Sequence, residues 1–399
     1  MTTGAGETSG ETISGDQIPR RPDDSIRLRE RIRAFVHANP PPVLRGLGGA
    51  QRLARAKDWA ATLYDGGLAG PAWPREYGGM DLSFSAQVAY HDEFARVGAP
   101  AHPGNGPAIA GPTLLQFAND EQRRRFLPPM LRGDEVWAQG FSEPGAGSDL
   151  QALTTTARRD GDDYVVCGSK LWSSYADVAD FMFALVRTGG VGSGAGGISY
   201  LLIDLRGAGV TVRPLRDMSG GSRFSEVFLD EVRVPAAYRV GPENGGWALA
   251  RATLGYERAA RALSQAGSYR RRMDQLTDLL NERGVLADSI ARQRVAACES
   301  WVRILSVNAA RVVSAIEMSG APGPTASITR LFHSQAEQLF YQTGLELLGP
   351  DGLVTFGEDA VDGGRWPSGF LHSRGATIGA GTAEIQRNTI AEQILGLPR

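Results

Sequence analysis

Residues 139–149 read Gln139-Gly140-Phe141-Ser142-Glu143-Pro144-Gly145-Ala146-Gly147-Ser148-Asp149, and the chain changes character on either side of them. The glycines and Ala146 let backbone amides come close to a ligand, while Ser142 and Ser148 add hydroxyls. A tight loop between strands would account for the same composition. Upstream, from Ser25 to about Asp134, apolar residues such as Ile26, Leu28, Ile32 and Phe35 follow three- and four-residue helical steps. The turn Pro71-Ala72-Trp73-Pro74 breaks that pattern, because its prolines cannot sit inside a regular helix. Downstream the period shortens. Val136–Ser142, Thr154–Arg159, Tyr164–Cys167, Phe181–Val186, Ile198–Asp204, Val210–Leu215 and Phe224–Val234 read as strands, with a hairpin at Asp160-Gly161-Asp162-Asp163. After Pro235 the helical period returns, with long helices expected over Trp247–Arg283, Asp288–Met318, Ala326–Leu348 and Thr382–Leu395.

The pattern predicts an α+β fold: an N-terminal helical domain over 25–135, a central antiparallel β-domain over 136–240 and a C-terminal four-helix bundle over 241–399. Residues 1–24, rich in Gly, Ser, Thr and Asp and lacking a signal-peptide apolar stretch, are expected to be a disordered leader. A net charge of −2 argues against a nucleic-acid groove or a polybasic membrane face. No apolar run reaches membrane-spanning length. Cys167 and Cys298 are far apart and fit no metal spacing or disulfide framework, which suits a reducing cytoplasm. Only two of the 42 basic residues are lysines, Lys57 and Lys170.

Several chemistries are poorly supported. There is no P-loop and no zinc-protease His pair, and the five histidines are scattered, so no metal site is expected. Gly192, Gly194 and Gly197 match a dinucleotide fingerprint, but a strand follows them where a helix should open. Gly140-Phe141-Ser142-Glu143-Pro144 falls one residue short of a hydrolase nucleophile elbow.

Three segments together resemble the acyl-CoA dehydrogenase family. Residues 143–149 are similar to its Glu-Pro-x-Ala-Gly-Ser-Asp signature. Gly168-Ser169-Lys170-Leu171-Trp172-Ser173-Ser174 resembles the strand that carries a tryptophan beside the flavin. Gly381-Thr382-Ala383-Glu384-Ile385-Gln386-Arg387-Asn388 is similar to the C-terminal cofactor-binding helix. The resemblance implies FAD as cofactor, with Gln139, Phe141, Ser142, Gly147, Ser148, Trp172, Ser174, Thr382 and Glu384 among its contacts. Glu346 and Gly349 occupy the positions that in many relatives reach cofactor across a dimer. It also implies an acyl thioester substrate, on coenzyme A or an acyl carrier protein, near Ser148, Arg258, Ala380 and Gly381. An electron-transfer flavoprotein would take the electrons. A homo-oligomer, dimer or homotetramer, is the expected assembly, with a heteromeric complex as the alternative.

The reaction needs a carboxylate aimed at the α-carbon. Many family members place a glutamate just before the C-terminal Gly-Thr, where this chain has Ala380. A second arrangement, similar to isovaleryl-CoA dehydrogenase, puts it on the first long helix of the bundle, which here points to Glu257 in Leu254-Gly255-Tyr256-Glu257-Arg258. Independently of any family, Trp247, Ala250, Leu254 and Glu257 follow one helix stripe, and a carboxylate on an apolar stripe is costly unless paired or used. A structural ion pair is the plainer reading of Glu257. After Tyr269 the chain has Arg270-Arg271-Arg272-Met273 and lacks the Arg-x-Phe-Gly segment common in the family. Three functions therefore stand: a dehydrogenase of branched or bulky acyl groups, a non-catalytic partner subunit, and a flavin oxidase or monooxygenase on the same scaffold.

Overall fold

The computed structural model describes residues 22–44, 47–190, 192–319 and 323–398. Most of the expected leader thus lies outside the described residues, and helix α1 (Pro22–Ala38) opens at its end. Helices α2 (Gly49–Asp65), α3 (Phe84–Val97), α4 (Gly111–Phe117) and α5 (Asp120–Arg132) complete the first lobe. The turn expected at Pro71–Pro74 separates α2 from α3. Helix α5 begins with a reciprocal cap: Asn119 Oδ1 accepts from the Gln122 amide at 2.8 Å, and Gln122 Oε1 accepts from the Asn119 amide at 3.1 Å. The Gln122 amide nitrogen then donates to the carbonyls of Ala237 and Arg239, so the cap also ties the helical lobe to the sheet.

The sheet holds β1 (Trp137–Gly140), β2 (Thr156–Asp160), β3 (Asp163–Ser174), β4 (Phe181–Arg187), β5 (Ile198–Asp204), β6 (Val210–Leu215), β7 (Phe224–Pro235) and β8 (Arg239–Val240). Its order is β6-β7-β3-β2-β4-β5-β8, with β1 alongside β4. The sequence pattern predicted an antiparallel sheet, and most pairings are antiparallel, but two are not. β1 runs parallel to β4, and β2 meets β4 in a parallel sense at the pair Thr156–Arg187. The long excursion through residues 141–180 makes this possible, since only a long crossover can return the chain in the same direction. Strands β4 and β5 are covered on both faces, so Phe181–Val186 reads as an unbroken apolar run and Ile198–Ile203 is interrupted only by Ser199. One core runs from Trp73, Phe126 and Trp137 through Phe183 and Tyr200 to Leu249 and Ala250 of the next helix, joining the three lobes.

Four long helices follow. They are α6 (Gly246–Glu282), α7 (Ser289–Ser319), α8 (Thr325–Leu348) and, after the short α9 (Arg365–Ser373), α10 (Ala383–Gln393). Helix α8 packs on α6, α7 and α10. Among the described residues no helix is long and apolar enough to cross a membrane.

The loop at residues 143–149 is held from inside by one charge pair. Lys170 is fully buried and its Nζ lies 2.7 Å from Glu143 Oε1, itself 5% exposed. The Glu143 carboxylate also accepts from the Thr154 amide and hydroxyl and from the Thr155 amide at 2.6–2.9 Å. Burial alone would raise the Glu143 carboxyl. The Lys170 charge and the Thr154 and Thr155 bonds outweigh it and hold the group at about 2. Burial pushes Lys170 the other way, down to about 8, against the pull of Glu143.

Removing one partner leaves the other charge buried and uncompensated, so Lys170→Met is expected to cost about 3–5 kcal/mol in urea unfolding. Adding Glu143→Gln should restore part of that loss. The sign with pH follows from the depressed Glu143 carboxyl. Its stabilising share is complete above the ordinary value of 4.5 and is lost as pH falls through about 2. A urea midpoint that stays level across that window would contradict this account.

Candidate active site

A cleft of about 1970 Å³ opens between the sheet, α6 and the segment leading into α10. Its first wall comes from the 139–149 region. Gln139, Phe141, Ser142, Gly147 and Ser148 all line it. A Cβ placed on Gly145 or Gly147 would meet nothing within 4 Å, so the backbone there faces open space that a ligand can approach.

Trp172 and Ser174 line the same cleft. The pairing of β3 with β7 explains how. Lys170 pairs with Val227 and Ser173 with Ser225, so β3 carries one residue more than β7 across that interval. The extra residue is a β-bulge, and Trp172 sits in it at φ 61°. The bulge lifts the indole off the sheet, 59% exposed and edge-on to Phe224 at 5.9 Å. The Leu171 amide donates to the Ser142 carbonyl at 2.9 Å, coupling the bulge to the glycine-rich loop. An exposed aromatic face, free backbone and the hydroxyls of Ser142, Ser148 and Ser174 suit a planar cofactor such as FAD.

The opposite wall is built by α6 and the loop before α10. Glu257 lines the cleft although it is only 7% exposed, and its Oε1 accepts from Arg261 Nη2 at 3.0 Å. It thus sits in an ion pair and in the cleft at once. The stripe that buries it includes Leu249, Ala250 and Thr253, and Thr253 meets Thr113 of α4 at 2.9 Å between hydroxyls. Arg258 also lines the cleft; burial lowers its guanidinium from the usual range, and its Nε has no hydrogen-bond partner.

Ala380 and Gly381 line the cleft as well. Both have positive φ, 54° and 85°. The Gln386 amide nitrogen reaches the carbonyls of Ala380 and Gly381 at 3.3 and 3.4 Å. Arg330 Nη2 donates to the carbonyls of Ala376 and Gly379, both at 2.5 Å. A trans peptide directs its N–H opposite its C=O. With the Gly379 carbonyl turned to Arg330, the Ala380 N–H of that peptide points to the other side. Thr382 caps α10, its hydroxyl accepting from the Ile385 amide at 3.2 Å while its own proton stays available to a ligand.

Not every residue singled out in the sequence meets here. Within one chain Glu346, Gly349 and Glu384 are not among the residues lining the cleft. Glu346 pairs with Arg294 and accepts from Gln342 at 3.0 Å. Gly349 ends α8 at φ 62°, and Glu384 is exposed beside Arg387 at 3.1 Å. Lys170, Arg261 and Arg330 were not anticipated. For Lys170 the signal existed, since it is one of two lysines in an arginine-rich chain. Arg261 shows only its four-residue spacing from Glu257, and nothing in the local sequence distinguishes Arg330 from the other arginines.

The chain resembles known proteins along most of its length. Three acyl-CoA dehydrogenase family models match consecutive parts of the chain: the N-terminal domain over 22–134, the middle domain over 138–232 and the C-terminal domain over 244–395. The acyl-CoA dehydrogenase IpdE1 of Mycobacterium tuberculosis is 37% identical over 386 residues, covering 94% of this chain and 98% of the relative. The solved Tcur3481-Tcur3483 steroid ACAD is 31% identical with a TM-score of 0.85, covering 95% of this chain and 99% of that one. The ChsE4-ChsE5 complex from Mycobacterium tuberculosis is 31% identical with a TM-score of 0.81, covering 96% and 100%.

The left-handed backbone at Ala380 is strained for any residue with a Cβ. Ala380→Gly is therefore expected to stabilise the protein by about 1 kcal/mol, read as a raised thermal midpoint. A lowered midpoint would show that the loop imposes no strain on this residue.

Proposed function

This chain belongs to the acyl-CoA dehydrogenase family, and from that premise we propose that it oxidises the α,β carbon–carbon bond of a bulky, ring-bearing acyl-CoA with Glu257 as catalytic base. The family makes it an FAD-dependent enzyme. The single observation that carries the assignment of the base is the position of Glu257. It is a buried carboxylate that still lines the cleft, facing the wall that holds Trp172 and the Ser142 loop.

When bound, the flavin supplies the acceptor for the hydride that leaves the β-carbon. The chain's own residues do the rest. Gln139, Phe141, Ser142, Trp172 and Ser174 would hold the ring system, with Gly147, Ser148 and Thr382 along its polar chain. The thioester oxygen would accept from the Ala380 N–H, whose peptide is fixed by Arg330. Such a donor stabilises the negative charge that grows on that oxygen as the α-proton departs. Glu257 takes that proton. Because Ala380 brings no carboxylate of its own, the space beside the α-carbon stays open on the loop side, which favours a branched or cyclic acyl group.

The steroid ACAD carries its substrate class in its name, and two of the similar structures are complexes of two named chains. On that support we place this chain in a heteromeric assembly with a second acyl-CoA dehydrogenase-like subunit, working in the cytoplasm. There it passes electrons to an electron-transfer flavoprotein.

Anaerobic bleaching of the flavin by a panel of alicyclic acyl-CoAs tests the assignment. Glu257→Gln is expected to keep its flavin and lose roughly 10²–10⁴-fold in bleaching rate. A variant that bleaches at the wild-type rate would remove Glu257 as the base.

A further inference from the structure

The wall around Glu257 holds more positive charge than it can use. Glu257 is paired to Arg261, one helical turn along α6. Arg330, from α8, is 6% exposed and lines the same cleft; its Nη2 is spent on two carbonyls and its Nε has no partner. Burial and then the neighbouring Arg261 charge lower the Arg330 guanidinium to about 10, against the weaker pull of Glu337 and Glu257. Arg258, next to Glu257 in the chain and lining the same cleft, also leaves its Nε unsatisfied. Three guanidiniums therefore share the cleft wall with two carboxylates, Glu257 and Glu337. His333, one turn from Arg330, is buried with neither ring nitrogen hydrogen-bonded, and its Nδ1 lies 4.0 Å from Glu337. A site so rich in donors and so short of acceptors lacks an anion.

We propose that the substrate carries a carboxylate on its acyl part, and that this carboxylate docks on Arg261 with Arg330 behind it. In doing so it draws Arg261 off Glu257 and leaves the base free. The proposal rests on Glu257 as the base.

Geometry limits where the anion comes from. If Glu257 touches the α-carbon, residues one turn along the helix lie about 5–6 Å farther on. That is the reach of the fourth or fifth atom beyond the α-carbon, far short of the coenzyme's phosphates. The pairing also has a kinetic sense. While Arg261 holds Glu257, the Oε1 oxygen is engaged in the ion pair at 3.0 Å and is not free to meet the α-proton. A substrate that supplies a second carboxylate exchanges one ion pair for another and releases the first. A plain acyl chain would have to lie against a charged, half-exposed guanidinium and gains nothing from it.

The test uses the flavin-loaded protein and three ligands of equal chain length: hexanoyl-CoA, adipoyl-CoA and the methyl ester of adipoyl-CoA. Calorimetric titration is expected to show adipoyl-CoA binding at least roughly tenfold more tightly than the other two. Arg261→Leu should erase that difference. Equal affinities for the three ligands overturn the proposal, as does a preference for adipoyl-CoA that survives Arg261→Leu or a failure of all three to bind. The three-ligand comparison on the unaltered protein stands even if the variant does not fold. Flavin bleaching, recorded alongside, separates the two claims. Bleaching without a carboxylate preference defeats the anion site and leaves the dehydrogenase reading intact. A carboxylate preference without bleaching does the opposite.

Discussion

The ion pair between Lys170 and Glu143 is the constraint on which the cofactor wall depends. A fully buried ammonium is expensive, and it persists because Glu143 answers it at 2.7 Å. The same carboxylate gathers the amides of Thr154 and Thr155, so one side chain fixes three segments at once: the loop at 143–149, the entry to β2, and the middle of β3. None of these groups faces the cleft. Their effect reaches it through the residues on either side, because Ser142 precedes Glu143 and Trp172 follows Lys170 by two positions. The glutamate of the signature motif is thus a structural residue that aims its neighbours.

The second wall is governed by a different device. Loop 376–381 has little regular structure to hold it, yet four of its carbonyls are claimed by two buried side chains, Arg330 and Gln386. Fixing carbonyls fixes the amides on the far side of each peptide. Two arginines of the bundle thereby acquire separate tasks: Arg330 shapes the loop from behind, and Arg261 faces the cleft beside Glu257. The backbone strain at Ala380 and Gly381 persists because these contacts over-determine the loop.

Much of this was legible in the sequence, for physical reasons. Strands β5 and β6 have the ends their residues predicted, because each is a short run bounded by turn-forming residues. Helix α8 begins one residue earlier than read and ends where expected, at the glycine that closes it. The parallel pairing of β1 with β4 was not legible, since alternation along a strand says nothing about its partner's direction. The bulge at Trp172 was equally hidden. It arises from a mismatch in residue count between β3 and β7, which neither strand shows alone. Clustering of Glu257, Arg261, Arg330 and His333 depends on how α6 packs against α8, and a single helix stripe reveals only the first two.

The placement of the carboxylate on α6 rather than on the loop has a consequence for rigidity. A loop-borne group depends on the loop's conformation for its aim, whereas Glu257 sits in the first half of a 37-residue helix whose adjoining turns are buried against the helical lobe. Its position is therefore set by the packing of Leu249, Ala250 and Thr253, and not by whatever occupies the cleft. The loop is then free to serve as a backbone donor alone, and Ala380 can be small. Space that a loop glutamate would fill is left to the acyl group. A carboxylate fixed on the helix and a loop poor in side chains leave a wide cleft without either having to move.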